Sequence, residues 1–485
     1  MSIRVVLKYL GLVLIVLGGT LLFPLAWSLA VSDGAAASFV VPICIAGLAG
    51  GALWRFIPPE SHGVTRREGL ALVTFTWIAG SLLGALPYTL SHALPNYLDA
   101  FFEAMSGFTT TGATVLTSIG AQPQSILLWR NFSQWLGGMG IVTFFVALFP
   151  MLGVGAAHLF EAEMPGPQPE RLRSRVRNTA QALWLLYVLF SLLEFLLLRI
   201  GGRLPAFDAL NVTFGTMPTG GFLHLSESIG AYGDNAFVTT VVTVFMLAAG
   251  VNFALYYFLI RRGQTKAFLR NPEFRLYAGI FAVASIVVAV DLVQSGRIPL
   301  AEAARQATFH VASMQTTTGF TTTDFNLWPA LSKSVLLVLM LVGASAGSTG
   351  GALKVVRVLV VAKYAYRQVV TAFSPRSVMP LKLGGETVPE PMVSAIVGMA
   401  ALYAGTLLAG YLVMSALGLD SVTAFSSVAA TTGNVGPGMA GVGPAGNYAF
   451  IPAAGKLVLT LCMLVGRLEF VTAIALVSPA FWRWR

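Results

Sequence analysis

The groups that this chain gathers into one place are threonine hydroxyls and peptide carbonyls. In the stretch from Gln315 to Asp324 six threonines surround a single glycine, Gly319, within a sequence that is 56% hydrophobic. Such a stretch makes a poor spanning helix, because threonine is stiff at χ1 and glycine weakens a helix. Extended, and buried on one side, it offers neutral oxygen ligands that can replace the water shell of a cation. Other chemistries lack their residues. The five histidines (His62, His92, His158, His224 and His310) are scattered, with no HExxH, aspartate pair or nucleophile elbow. Cys44 and Cys462 lie far apart in apolar stretches and suggest neither a disulfide nor a metal site.

The threonine-glycine pattern occurs four times. Its copies read Thr109-Thr110-Thr111-Gly112, Met217-Pro218-Thr219-Gly220, Thr316-Thr317-Thr318-Gly319 and Ala430-Thr431-Thr432-Gly433. Aligned on Gly112, Gly220, Gly319 and Gly433, the copies are separated by 108, 99 and 114 residues. A serine stands six residues before the glycine in three of them (Ser106, Ser313, Ser427), and Asp99, Asp208 and Asp420 open three of the preceding segments. Self-similarity at this period is an internal repeat. The candidate cation ligands are therefore Thr110, Thr111 and Gly112; Pro218, Thr219 and Gly220; Thr317, Thr318 and Gly319; and Thr431, Thr432 and Gly433. The second copy has Met217-Pro218 where two others carry threonines, which predicts an asymmetric ring.

The elements that must hold these loops follow from the composition. Only 10% of the 485 residues are charged, and the mean hydropathy is +0.76, too apolar for a soluble globule. A span takes about 20 apolar residues. Ten candidates lie at roughly 5–30, 36–56, 68–91, 125–151, 179–200, 236–260, 275–294, 331–362, 392–417 and 450–479. The first carries Arg4 and Lys8 before an apolar run, as a signal peptide would, but its length favours a retained helix. Each threonine-glycine stretch follows a segment of about a dozen residues, half a membrane, so it enters and returns on one side. Backbone at membrane depth is tolerated only inside protein or beside a water-filled cavity. The expected architecture is an all-α integral membrane protein with about ten transmembrane helices and four re-entrant pore loops in four repeats. Residues 1–63 form a two-helix unit, 64–155 the first repeat, 156–262 a linker and the second, 263–368 the third, and 369–485 the fourth.

With both termini cytoplasmic, 22 of the 30 lysines and arginines fall on the cytoplasmic side, as the positive-inside rule asks. The net charge of +10 then reads as topology and lipid contact, not as nucleic-acid binding. Acidic residues such as Asp33, Asp99, Glu103, Asp208, Asp291 and Asp420 lean to the other side, where they would concentrate cations.

Two features lie below the ring. The run Gly343-Ala344-Ser345-Ala346-Gly347-Ser348-Thr349-Gly350-Gly351-Ala352 interrupts the eighth span with four glycines, and predicts a loop rather than a small-residue packing face. Arg467, followed by Glu469, places charge in the last span, where it must pair or function. Glu469 and Glu194 are the candidate partners. Arg171, Arg173, Arg175 and Arg177 alternate in a linker that suits either a protein contact or lipid.

Together the four motifs resemble the Trk/Ktr/HKT superfamily of potassium transporters, most closely its TrkH/TrkG-type subunits, over roughly residues 66–480 and the two preceding helices. The resemblance implies a K+ filter, since all four motif glycines are glycine. It implies an intramembrane gating loop at 343–352 and an electrostatic barrier at Arg467. It further implies the bacterial inner membrane, a homodimer, and regulation by a cytoplasmic TrkA-type nucleotide-binding subunit. This chain carries no P-loop or dinucleotide fingerprint of its own. The alternatives are a K+/Na+ or K+/H+ coupled carrier and a KdpA-type potassium-pump subunit. No catalytic residue is expected, and the chain is not read as an enzyme.

Overall fold

The computed structural model describes all residues except 1, 59–63, 139, 141–175, 264, 297, 377–378, 469, 471–475, 477 and 484–485. Arg171, Arg173 and Arg175, the far half of the span at 125–151, Glu469 and the boundary at residue 155 lie outside those residues.

The described secondary structure is helical apart from a short hairpin pairing Lys382–Leu383 with Glu386–Thr387, with non-helical loops between the helices. Among the described residues, six helices are long and apolar enough to cross a membrane: Ile3–Val31, Ala36–Phe56, Arg67–Leu90, Ala180–Gly201, Pro272–Gln294 and Glu390–Ala416. Their starts follow from local chemistry. Thr65 and Glu68 form a capping box, and Asn271 caps a helix whose first residue is Pro272. The first and second helices pack closely because Gly11 and Gly50 admit each other's backbone.

The expected span 236–260 is not continuous. It splits into Ala236–Ala249 and Phe253–Ile260, bent by 93°, with Asn252 capping the second piece. The sequence prediction missed this because Gly250-Val251-Asn252 is too brief to disturb the hydropathy of the segment.

Four short helices, Tyr97–Phe108, Ala206–Thr216, Leu300–Gln315 and Ser421–Thr432, lie between the long ones. At 11 to 16 residues they are about 16–24 Å long, against about 30 Å of hydrocarbon. Each begins beside an acid, Asp99, Asp208 or Glu302 in the first turn or Asp420 as the cap. Each ends among fully buried residues, so the negative ends of four helix dipoles converge on the interior.

Candidate functional site

Where the short helices end, the backbone leaves the ordinary region of φ. Thr110, Thr219, Thr317 and Asn434 have φ between +53° and +60°, and two residues later Gly112, Gly221, Gly319 and Gly436 have φ between +75° and +97°. A positive φ is a genuine outlier for a β-branched threonine, and strain of this kind collects at functional sites. The turns that precede it match. The amides of Thr111, Gly220, Thr318 and Val435 reach back to the carbonyls of Ser106, Gly215, Ser313 and Ala430.

These equivalences close into a ring. A Cβ on Gly112 would overlap the carbonyl oxygen of Gly220. One on Gly221 would meet that of Thr318, one on Gly319 that of Val435, and one on Gly436 that of Thr111. Four loops thus stand around one axis, each glycine against the next loop's carbonyl, and only glycine leaves room. Neutral carbonyl oxygens, a missing side chain and four negative helix ends make a place where a dehydrated cation can be held.

The ring corrects the alignment read from the sequence in two of its four copies. Gly112 and Gly319 stand where expected. In the second copy the ring glycine is Gly221, and Gly220 supplies the carbonyl before it. In the fourth it is Gly436: Thr431 and Thr432 still belong to the helix, and Gly433 is its cap with φ −80°. The Thr431 hydroxyl donates to the Ser427 carbonyl at 2.7 Å, a bond within the helix. Thr-Thr-Gly therefore stands three residues, nearly one turn, too early to form the loop, and Asn434-Val435-Gly436 forms it.

Each loop is held differently. In the first and third, paired hydroxyls bridge Thr109 to Thr111 at 2.8 Å and Thr316 to Thr318 at 2.7 Å. The second, with Pro218 at that place, is held by Gln134. Its Nε2 donates to the Gly220 carbonyl at 2.6 Å, and its Oε1 accepts the Phe222 amide at 2.9 Å. In the fourth, Asn434 Nδ2 donates to Thr111 Oγ1 at 2.9 Å, joining the two loops through their side chains. A buried ion pair stands behind the first and second. Arg130 meets Glu103 at 2.7 Å and donates to the Leu223 carbonyl at 2.8 Å, while Glu103 also accepts from Thr114 and Val115. Glu103 is therefore a structural anchor, not part of an outer field of free acids. Asp291 similarly accepts from the Ser332 amide and hydroxyl. Neither Gln134 nor Arg130 carried a sequence signal beyond being polar in an apolar stretch.

On the side where the short helices begin, a vestibule of about 170 Å³ opens over the ring, lined by Gly112, Gly221, Gly319 and Gly436 among others. Tyr448 at its edge donates to the Gly436 carbonyl at 2.7 Å. The Thr423 hydroxyl and amide, with the Val422 amide, outweigh slight burial and hold the Asp420 carboxyl below the usual aspartate range.

On the other side the helix Ala330–Val342 stops at Gly343, and Val355–Phe373 resumes after a non-helical stretch. That stretch contains Gly343, Ala344, Ser345, Ala346, Gly347, Ser348, Thr349, Gly350 and Gly351, as the sequence predicts. It is bonded in place directly under the ring. The Gly351 amide donates to Thr317 Oγ1 at 2.8 Å, and the Thr219 hydroxyl meets that of Thr349 at 3.3 Å. Its other edge lies in the break of the second repeat: the Ser345 amide donates to the Gly250 carbonyl and the Phe253 amide to that of Gly347. Arg467 donates to the carbonyls of Thr349, at 2.9 Å, and of Gly137 and Gly138. Of the two alternative partners, Glu194 is buried and, among the described residues, forms no ion pair with Arg467, while Glu469 lies outside them.

The family model of TrkH, described as a cation transport protein, matches residues 38–483. The chain is 38% identical to the Trk system potassium uptake protein TrkH of Salmonella typhimurium over 491 residues, covering 100% of both. It is 32% identical to the Trk system potassium uptake protein TrkG of Escherichia coli, covering 92% of this chain and 91% of that one. Its fold is similar to the crystal structure of the potassium transporter TrkH from Vibrio parahaemolyticus, with a TM-score of 0.89, 34% identity and 100% of each chain covered.

Proposed function

This chain belongs to the TrkH family of cation transport proteins, membrane transporters rather than enzymes, and we propose that it passes potassium ions through the ring of four loops. The observation that carries the proposal is the closed cycle of glycines and carbonyls at Gly112, Gly221, Gly319 and Gly436. In this reading the carbonyls around Thr111, Gly220, Thr318 and Val435 take the place of the ion's water, and the vestibule collects the ion. The stretch Gly343–Ala352 blocks the path below the ring and is the gate. Arg467, which fixes that stretch through Thr349, adds positive charge that a passing cation must overcome.

The basic residues favour the ring's vestibule facing outward and the interruption facing the cytoplasm of a bacterial inner membrane. Uptake is then driven by the membrane potential, about 2.3 kcal/mol per charge per 100 mV. A TrkA-type nucleotide-binding subunit on the cytoplasmic face and a homodimer complete the assembly that the family resemblance implies.

The test is reconstitution of the purified chain and measurement of reversal potentials in opposed K+ and Na+ gradients. A strong K+ preference is expected, and equal permeability to the two ions would overturn the filter. Flux that follows an imposed proton or Na+ gradient would instead favour a coupled carrier. Deleting 344–350 raises K+ flux if the stretch is the gate; an unchanged or lower flux in the folded variant removes that role.

A further inference from the structure

Glu273 lies in the first turn of the helix Pro272–Gln294, where a carboxylate ordinarily faces water or its own helix's amides. Here it is turned away and is only 8% exposed. Its Oε1 accepts the Ala346 amide at 2.6 Å. From the start of the helix that leaves the interruption, the Val356 backbone and the charges of Lys354 and Arg357 act on it electrostatically. Ala346 belongs to the first limb of the interruption, and Val356 to the start of the helix that leaves it. One carboxylate thus holds the first limb by a hydrogen bond and faces the start of the helix that leaves the loop.

We infer that Glu273 is a positioning residue that latches the interruption shut, holding it at Ala346 as Arg467 holds it at Thr349. The inference rests on the reading of 343–352 as a gate. A charge-assisted bond to a buried backbone amide is among the stronger hydrogen bonds, and its loss leaves that amide unsatisfied. With the Ala346 amide released, the first limb keeps its bonds through Ser345 and Gly347 to the second repeat, while the ring and its glycines keep all their contacts. The same helix begins immediately after the segment Thr265–Arg270, so a pull on that segment reaches the loop through one side chain.

The experiment compares Glu273→Ala and Glu273→Gln, each in the intact chain and in the chain lacking 344–350, by K+ flux and K+/Na+ reversal potential in liposomes. Glu273→Ala is expected to raise K+ flux about tenfold, the effect of about 1.4 kcal/mol on a closed–open balance. Its reversal potential stays unchanged, and it adds nothing in the deleted chain. Glu273→Gln keeps an acceptor for Ala346 but not the charge, and raises flux less; it decides the matter should the alanine variant fail to fold. If the deletion raises flux and neither substitution does, the latch is wrong and the gate stands. If the deletion leaves flux unchanged, the gate reading fails and the latch falls with it.

Discussion

Replacing Gly221 and Gly220 separately by alanine distinguishes the ring in the structure from the alignment of sequence motifs. Gly221 has φ +75°, where a Cβ costs about 1–2 kcal/mol, and that Cβ would overlap the Thr318 carbonyl. Gly220 lacks a positive φ. Its Cβ would meet only the amide end of Gln134, which can swing aside. If the strain at Gly221 is relieved by moving the Thr318 carbonyl, about 1–2 kcal/mol is withdrawn from the ring's discrimination, a factor of about 5–30. At about 59 mV per tenfold for a single charge, the reversal potential under K+/Na+ bi-ionic conditions shifts by about 40–90 mV. Gly220→Ala is expected to shift it far less and to lower stability instead, by up to about 3 kcal/mol if both Gln134 bonds are lost. The assay is voltage-clamped bilayers or liposomes carrying each purified variant. Full selectivity in Gly221→Ala with its collapse in Gly220→Ala would refute the ring.

Gln134→Leu removes the clamp on the second loop and, like Gly220→Ala, is expected to change the reversal potential little; a melting curve in detergent should fall by the equivalent of about 1–3 kcal/mol. Glu103→Ala leaves Arg130 buried without its partner and costs about 3–5 kcal/mol, whereas a double replacement of both by apolar residues of similar size recovers most of it in the same unfolding assay. Asp420→Ala loses a helix cap worth about 1 kcal/mol, read as a lower melting temperature. Since the Asp420 carboxyl is held below its ordinary range, its contribution is present above the unfolded value near 3.8 and is lost as pH falls through the lower folded value. Asp420→Asn keeps the cap, and melting curves taken below pH 4 should then show less acid sensitivity than the parent.

The sequence made the architecture legible because hydropathy and charge bias act over long windows, and four half-length segments at one period leave few arrangements. It also located the interruption at 343–352, since four glycines in one run outweigh the pull of an apolar span. Register was harder. Thr431-Thr432-Gly433 looks like the other motifs, and Ser427 even keeps their serine spacing. What fixes the register is where the backbone first takes a positive φ. Asparagine adopts that conformation more readily than threonine, so Asn434 was the available sign. The supports of the ring were illegible for another reason. Gln134 and Arg130 come from the helix after the first loop and serve the second, and no local pattern marks a contact 86 or 93 residues away.

A fourfold ring and the interruption at 343–352 fit together because of what the interruption touches. Thr349 meets Thr219 of the second loop, and its carbonyl takes Arg467 from the fourth repeat. Gly351 is bonded to Thr317 of the third loop, and Arg467 carries the connection on to Gly137 and Gly138 after the first. One stretch on one helix is thus tied to all four repeats at the axis. In the second repeat the bend at Gly250–Asn252 receives the loop. The ring tolerates equally varied supports, because only the glycine at each positive φ and the carbonyl against it must be preserved. On the proposed reading, selectivity and gating place different demands on the four repeats. The first would act on all of them alike, and the second would concentrate on residues 343–352 and the two charged side chains bonded to it, Glu273 at Ala346 and Arg467 at Thr349.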